Sequence, residues 1–466
     1  MEKIEYIQLG WVMKCRIFVA VVAGMVSAAC FAAPKYIFYF IGDGMSTPQR
    51  MVAEEFSRKA GLGSLAINQL PVQSTARTCS TSSLVTDSAA AATALACGKK
   101  TYNGASGVDD EGNRLVSCAE IAHKIGKKIG IITTVTLTHA TPAGFYAHRK
   151  SRGDTYGIAI DLADSGFDFF AGGGFGNKHA DAEAPEFAAC GDAYDYAESK
   201  GYRIVKTKDE FMALGASDGK IVTRFTDEAL AYSIDGKPGE PTLSEMVAKA
   251  IEVLDNPQGF FIMAEGGRID WAGHANDAAS NLRDVLAFDD AVKTALAFLE
   301  KHPDDTLVVV TGDHETGGLS MGFAGTGYAL YVERLVNQTM SVDEFNRRTK
   351  MLHAEKPDAT FDDFKPLIEQ AFGFRFEGDA AQDPMALDDA ERSAIETAFA
   401  KGGDMSALGD ACRLVISHKA GLGWSSGAHT AMPALTTAAG VDAWRFTGFM
   451  ENSELGVRMK ELCGAQ

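Results

Sequence analysis

Four stretches of the chain, 36-YIFYFIG-42, 129-IGIITTVT-136, 258-QGFFIMAEGG-267 and 306-TLVVVTGD-313, are apolar almost without interruption. A strand with one face in water alternates polar and apolar residues, whereas a run this uniform is buried on both faces. Helical periodicity separates the later runs. Leu243, Met246, Val247, Ala250, Ile251 and Leu254 recur at helical spacing, and Leu282, Val285, Leu286, Val292, Leu296 and Leu299 do so less regularly. Buried strands alternating with amphipathic helices constrain the chain to an α/β fold. The expected form is a three-layer α/β/α sandwich with a large central, mostly parallel sheet and a helix-rich insertion.

The 466 residues exceed what one core usually holds. The block 321–408 is charged, helix-prone and without buried-strand runs. It is read as an insertion, crown- or lid-like, on a catalytic domain made of 34–320 and 409–466. Within the block, 380-AAQDPMALDDAERSAIETAF-399 reads as a loop followed by a capped helix.

Residues 1–33 read as an export signal. Lys14 and Arg16 precede an apolar run over 17–26, and small residues follow to Ala33. The run is too short to span a bilayer comfortably. Met13 is read as the true start, with cleavage near Ala32 or Ala33. Lipid anchoring at Cys30 is disfavoured, because Ser27 stands where a leucine is usual. The expected location is the periplasm or the exterior, with no transmembrane span after cleavage. Six cysteines remain after removal of this segment (Cys79, Cys97, Cys118, Cys190, Cys412 and Cys463), and an oxidising compartment permits disulfides among them without revealing the pairing. None forms a C-x-x-C pair, which argues against a thiolate zinc site.

The net charge of −18 argues against a nucleic-acid partner, whose phosphates need a basic surface. An anionic small molecule would have to be drawn in by a local positive centre. The strand ends suggest where. The first run ends at Asp43, the second continues to His139 and Thr141, the third ends at Glu265 and continues to Asp270 and His274, and the fourth ends at Asp313-His314-Glu315. Ligands of open α/β sheets bind outside the carboxyl ends of the strands. Taken singly, an aspartate before glycine is a turn residue, and an Asp/His pair four apart is a helix-surface ion pair. Together they make a set of carboxylates and imidazoles that would repel unless cations neutralised them, and that suits zinc plus a harder, oxygen-bound ion such as magnesium. His429 lies in a loop, 425-SSGAHT-430.

All of these residues except His139 fall in five of seven motifs, 41-IGDGM-45, 85-VTDSAAAATALACG-98, 101-TYNGASGV-108, 140-ATPAGFYAHRKSR-152, 265-EGGRIDWAGH-274, 311-TGDHETGG-318 and 424-WSSGAHT-430. In them the chain closely resembles the alkaline phosphatases, over about 35–318 and again from 417 to the C-terminus. The resemblance implies that Ser88 is the nucleophile and becomes a phosphoserine, and that Arg152 forks two phosphate oxygens. It implies two Zn2+, one held by Asp270, His274 and His429 and the other by Asp43, Asp313 and His314. It implies one Mg2+ held by Asp43, Thr141 and Glu265. His139 and Trp271 occupy positions that vary between relatives, beside the metals or phosphate, so the third metal's identity is left open. The implied substrates are small-molecule phosphate monoesters. A homodimer is implied by the resemblance alone. The rival readings are a phosphodiesterase or other hydrolase of the same superfamily, and an exported phosphate- or metal-binding protein without turnover. A sulfatase would need a Cys/Ser-x-Pro-x-Arg motif, which the chain lacks.

Overall fold

The computed structural model describes residues 33–176, 185–403 and 405–464. The export segment expected over 1–33, with Met13 and Cys30, falls outside them except for Ala33. Fourteen strands are seen among the described residues. They run β1 (Tyr36–Gly42), β2 (Val72–Arg77), β3 (Lys128–Thr136), β4 (Phe169–Gly173), β5 (Tyr202–Val205), β6 (Lys220–Thr223), β7 (Phe260–Glu265) and β8 (Thr306–Gly312), then β9 (Glu315–Thr316), β10 (Leu319–Met321), β11 (Leu422–Trp424), β12 (His429–Thr430), β13 (Ala434–Gly440) and β14 (Gly448–Glu451).

Ten of these form one sheet in the order β14-β2-β13-β8-β1-β7-β3-β4-β6-β5. Every neighbouring pair is parallel except where β13 meets β2 and β8. One reversed strand among ten leaves nine pointing the same way, so nine carboxyl ends share one edge. The four apolar runs are β1, β3, β7 and β8, next to one another at the centre. Every residue of β1, β7 and β8 is buried, which is why their sequences do not alternate.

Alternate side chains of each strand enter opposite cores. Phe38 and Phe40 join the helices Leu243–Val253 and Ala278–Lys301 on one face. Ile37, Tyr39 and Ile41 join the helices Ser88–Cys97, Cys118–Lys124 and Asn452–Leu462 on the other. The sandwich is three layers, as expected.

The block 321–408 folds into the helices Val342–Glu355, Phe361–Phe372 and Asp389–Ala400. The last begins at a capping box between Asp388 and Glu391. β10 and β11 pair antiparallel, with Met321 opposite Leu422, so the two ends of this stretch lie side by side. Phe345, Phe364 and Phe372 of this block share the core of the β1 face. The buried Asp277 carboxylate ties it down further, accepting from the Val342 amide at 2.8 Å and from Gln338 Nε2 at 2.8 Å. No helix among the described residues is long and apolar enough to cross a membrane. All six described cysteines carry free thiols.

The alanine-rich helix Ser88–Cys97 is buried at all ten positions. It is made of small residues because other backbone crosses it closely on two sides. A Cβ added at Gly144 would lie 2.8 Å from the Cβ of Ala92, and one at Gly456 would lie 2.1 Å from the Ala94 carbonyl oxygen. Gly456 sits inside the helix Asn452–Leu462, where alanine is ordinarily favoured over glycine by about 1 kcal/mol. Here the clash with fixed backbone wins. Gly456→Ala is expected to lower stability by about 1–3 kcal/mol in urea denaturation, as overpacking does; an increase would show that the two helices are not held this close.

Candidate active site

Strand register assembles the site. Gly42 lies opposite Gly312, so the residues that follow, Asp43 and Asp313, leave adjacent strands side by side. Glu265 pairs with Ile41 on one side and with Thr133 on the other. Three carboxylates, all fully buried, therefore end three neighbouring strands. Gly44 follows with a positive φ of 69°, turning the chain so that its amide donates to Asp313 Oδ1 at 3.0 Å.

Three groups of side chains each bring their donor atoms within 4.8 Å of one another: Asp43 with Asp313 and His314, Asp43 with His139 and Glu265, and Asp270 with His274 and His429. Asp43 is common to the first two. In the first, His314 Nε2 lies 3.3 Å from Asp43 Oδ1 and 3.3 Å from Asp313 Oδ2. In the third, Asp270 and His274 share one face of the short helix Arg268–His274, with His274 Nε2 3.4 Å from Asp270 Oδ2. His429 arrives from β12, its Nε2 3.5 Å from Asp270 Oδ1. The rings of His314 and His429 stack with centroids 3.6 Å apart and join the first group to the third.

Hydrogen bonds on the far side of each ring assign the protons. Nδ1 of His274 lies 2.8 Å from the Gly427 carbonyl, and Nδ1 of His429 lies 2.8 Å from the Thr86 carbonyl. A carbonyl only accepts, so each Nδ1 carries the hydrogen and each Nε2 presents a lone pair. Those two Nε2 atoms nevertheless face each other at 3.1 Å, beside the Asp270 carboxylate. Thr316 donates its hydroxyl to Asp270 Oδ1, which leaves its oxygen to accept from His314 Nδ1 at 3.2 Å. His314 Nε2 is thus a lone pair among carboxylates as well. Buried Asp43 Oδ1, Asp313 Oδ2 and Glu265 Oε1 have no hydrogen-bond partner. Converging lone pairs and orphaned anionic oxygens fit divalent cations, and the carbonyls behind the imidazoles are the outer partners that such ligands use.

The protein's own charges show the same conflict. Burial, then the facing Asp313, Asp270 and Glu265, pushes the Asp43 carboxyl well above its ordinary value. Burial and Asp270 push Asp313 the same way. Burial, then His429, Arg152 and His274, holds His314 well below the usual imidazole range.

Ser88 is the first residue of its helix and buried. Asp87 caps that helix, accepting from the Ala90 amide at 3.0 Å. Thr86 does not cap it; its hydroxyl donates to the Asp87 carbonyl. Ser88 Oγ lies 3.2 Å from His314 Nε2. Arg152 reaches the same place from a loop, donating from Nη1 to Asp87 Oδ2 at 3.1 Å and from Nη2 to His139 Nε2 at 3.3 Å. These bonds use two of its five N–H donors. Because arginine cannot accept, Nε2 of a neutral His139 is the acceptor and its proton sits on Nδ1. Nδ1 lies 3.7 Å from Asp43 Oδ2 and 3.6 Å from Glu265 Oε1 and has no hydrogen-bond partner. Thr141, from the short helix Ala140–Ala143, has its hydroxyl 3.3 Å from Asp43 Oδ2.

The family model for alkaline phosphatase matches residues 34–464. The chain belongs to the alkaline phosphatase family. It is 34% identical over 380 residues to alkaline phosphatase 3 of Bacillus subtilis, covering 80% of this chain and 75% of that one. The crystal structure of a cold-active alkaline phosphatase from a psychrophilic Shewanella superposes with a TM-score of 0.79 at 28% identity, over 92% of this chain and all of that one. A variant of the enzyme from the Antarctic bacterium TAB5, whose structure holds Mg in its M3 site, matches with a TM-score of 0.66 at 28% identity, over 94% and 99% of the two chains. The protein is accordingly a phosphomonoesterase of a metal-dependent family.

The candidate site residues named from the sequence lie at this one edge of the sheet. Trp271 stands beside His139, ring centroids 6.1 Å apart. His418 stacks on Phe323 at 3.8 Å and bonds to none of the residues above. Sequence reasoning missed Thr316, which orients His314 and Asp270, and the second task of Asp87 in holding Arg152. It placed Glu315 at a strand end without giving it a role; the residue is buried and accepts from Gln49 at 2.7 Å, from Thr430, and from the amides of Gly318 and Leu319, each at 3.1 Å. Glu315 and Thr316 sit in the motif 311-TGDHETGG-318, but nothing in their spacing separates a residue that supports a ligand from the ligand itself.

The raised carboxyls give a pH test. A group whose pKa is higher in the folded chain contributes stability below its unfolded value, about 4 for these acids, and loses it as pH rises through the folded value. Chelator-treated protein should therefore fall in melting temperature as pH climbs from acid toward neutrality on account of this cluster. Saturating divalent metal should flatten that slope. The same slope with and without metal would show that no cation neutralises these groups.

Proposed function

We propose that the protein is an exported alkaline phosphatase that hydrolyses phosphate monoesters through a phosphoserine on Ser88, with two Zn2+ and one Mg2+ at the site. The observation that carries this reading is the meeting of Ser88, at a helix N-terminus, with the Asp87-held guanidinium of Arg152 and three groups of metal-ligand type. Asp270, His274 and His429 would hold one zinc, and Asp43, Asp313 and His314 the other. Asp43, Glu265 and Thr141 would hold magnesium. His139, with its Nε2 engaged by Arg152, is assigned as a donor beside that third ion rather than its ligand. Bound there, the metals polarise the attacking and departing oxygens and neutralise charge on the phosphoryl group.

The chain's own residues do the rest. Arg152 offers its remaining N–H donors to two non-bridging oxygens, a fork that lysine cannot reproduce. Asp87 and His139 fix the plane of that fork. Ser88 Oγ attacks phosphorus in line with the ester oxygen, which leaves as alcohol or phenol after protonation, and the phosphoryl group rests on Ser88. The N-terminus of the helix stabilises the negative charge on Ser88 and on phosphate. Water then attacks the phosphoserine from the vacated side, Ser88 Oγ is the leaving group, and inorganic phosphate departs. The Asp270–His274–His429 group borders solvent, His274 being exposed, which suits the side where the alcohol leaves and water enters.

A second reading has a specific observation behind it. Ser88, His314, Thr316 and Asp270 are linked by consecutive hydrogen bonds, an arrangement in which His314 could act as a general base without metal. It is disfavoured because the same Nε2 faces two carboxylates at 3.3 Å, which cannot all remain anionic around a single hydrogen bond. Chelation separates the two readings.

The segment 1–33 supports export to the periplasm or exterior, and 321–408 is read as an insertion on the domain formed by 34–320 and 409–466. The homodimer expected from the resemblance is part of this proposal and rests on the resemblance alone.

For the purified protein, thorough chelation should abolish hydrolysis of an aryl phosphate monoester, and added zinc and magnesium should restore it. Ser88→Ala should slow turnover by roughly 10³-fold or more while phosphate still binds. Undiminished turnover after metal removal would favour the metal-free dyad. A kcat/KM higher for a matched diester than for the monoester would favour a phosphodiesterase.

A further inference from the structure

Arg268 lies in the motif 265-EGGRIDWAGH-274, between Glu265 and Asp270, and the phosphoryl chemistry gives it no task. It opens the short helix Arg268–His274 that also carries Trp271. Its guanidinium sits over two rings, 4.3 Å from the centroid of Tyr232 and 4.6 Å from that of Trp271. Both separations are within the reach of cation–π attraction. Nε donates to the Leu230 carbonyl at 2.6 Å, which fixes the plane of the group. The segment carrying Leu230 and Tyr232 thus holds a flat cation against the indole.

The indole in turn packs on the phosphate side of the site. Trp271 meets the His139 ring with centroids 6.1 Å apart and planes at 64°, an edge-on arrangement. Among the described residues the His139 side chain makes one hydrogen bond, between Nε2 and Arg152 Nη2 at 3.3 Å, and its buried Nδ1 has no partner. One bond at one ring nitrogen does not fix the tilt of an imidazole, so packing against Trp271 sets it. Arg152 relies on that acceptor for one of the two bonds that fix its own plane, the other being to Asp87 Oδ2 at 3.1 Å. Contacts therefore run from Tyr232 through Arg268, Trp271 and His139 to Arg152.

We propose that Arg268 is a positioning residue for phosphate binding: it holds the Trp271 indole, which sets the His139 ring and through it the guanidinium plane of Arg152. That role rests on the reading of Arg152 as the phosphate clamp. Arginine suits it, because a lysine has neither the flat face that stacks on rings nor an Nε–H for Leu230.

Inhibition by inorganic phosphate reads the clamp directly. Arg268→Lys keeps the positive charge that Asp284 and Asp235 face and loses the flat group. At equal metal content, its inhibition constant for phosphate and its KM for an alkyl phosphate monoester should rise together by about three- to tenfold, the worth of one such contact. A folding defect alone would lower kcat through the active fraction and leave both constants in place. Trp271→Ala should reproduce the shift, and Trp271→Phe, which keeps a ring beside His139, should recover most of it. Arg152→Ala should weaken phosphate by itself, and adding Arg268→Lys to it should change nothing further, because the group through which Arg268 acts is gone. Should Arg268→Lys fail to fold, Tyr232→Leu, which removes the other ring against the guanidinium, should shift both constants in the same direction. Unchanged phosphate inhibition in Arg268→Lys, or in Tyr232→Leu in its stead, overturns the proposal, as does a shift that persists in full on the Arg152→Ala background. Unchanged inhibition in Arg152→Ala alone would instead overturn the clamp on which the proposal rests.

Discussion

Asp43, Asp313 and Glu265 end three adjacent strands as fully buried carboxylates, close enough that they cannot all be ionised without cations between them. Much else in the molecule follows from that crowding. It requires strands running the same way, because only then do neighbouring carboxyl ends deliver acids to one edge. It requires imidazoles whose Nδ1 hydrogens are occupied by the Gly427 and Thr86 carbonyls and by the Thr316 hydroxyl, so that only lone pairs face inward. A protein selected for stability alone would not keep so many like charges out of water. The cluster is a functional expense, and divalent metal is what reconciles it with a folded chain.

Ser88, the proposed nucleophile, is placed by a different device, which is small side chains. The Ser88–Cys97 helix lies between the backbone near Gly144 and the helix containing Gly456, at distances that leave no room for a Cβ on either partner. This close packing fixes the helix N-terminus, and with it Ser88, relative to the strand ends. Asp87 links the two devices. One carboxylate oxygen caps the helix that begins at Ser88 and the other holds Arg152, so one group positions both the proposed nucleophile and the proposed phosphate clamp.

The central strands were legible because burial on both faces erases alternation, and β1, β3, β7 and β8 stand within two residues or so of their apolar runs. The ligand-type residues were legible because they follow those runs directly, and the family motifs extended the reading to His429 and Arg152, which no strand announces. Other parts were hidden for physical reasons. The reversal of β13 depends on where the chain goes after 408, and its moderately polar residues do not reveal strand direction. Thr316 and Glu315 act through other side chains, and a hydroxyl or carboxylate in that supporting role has no spacing of its own.

The most direct measurement of the central claim is the number of metal ions bound per chain, determined by elemental analysis of wild-type protein and of Asp43→Asn. Asp43 belongs to two of the three groups, so its loss should remove more than one ion. The account predicts about three equivalents in the wild type and about one in the variant, the survivor being held by Asp270, His274 and His429. A variant that keeps the wild-type number, or a wild-type protein that folds with these carboxylates buried and binds no stoichiometric metal, would contradict it.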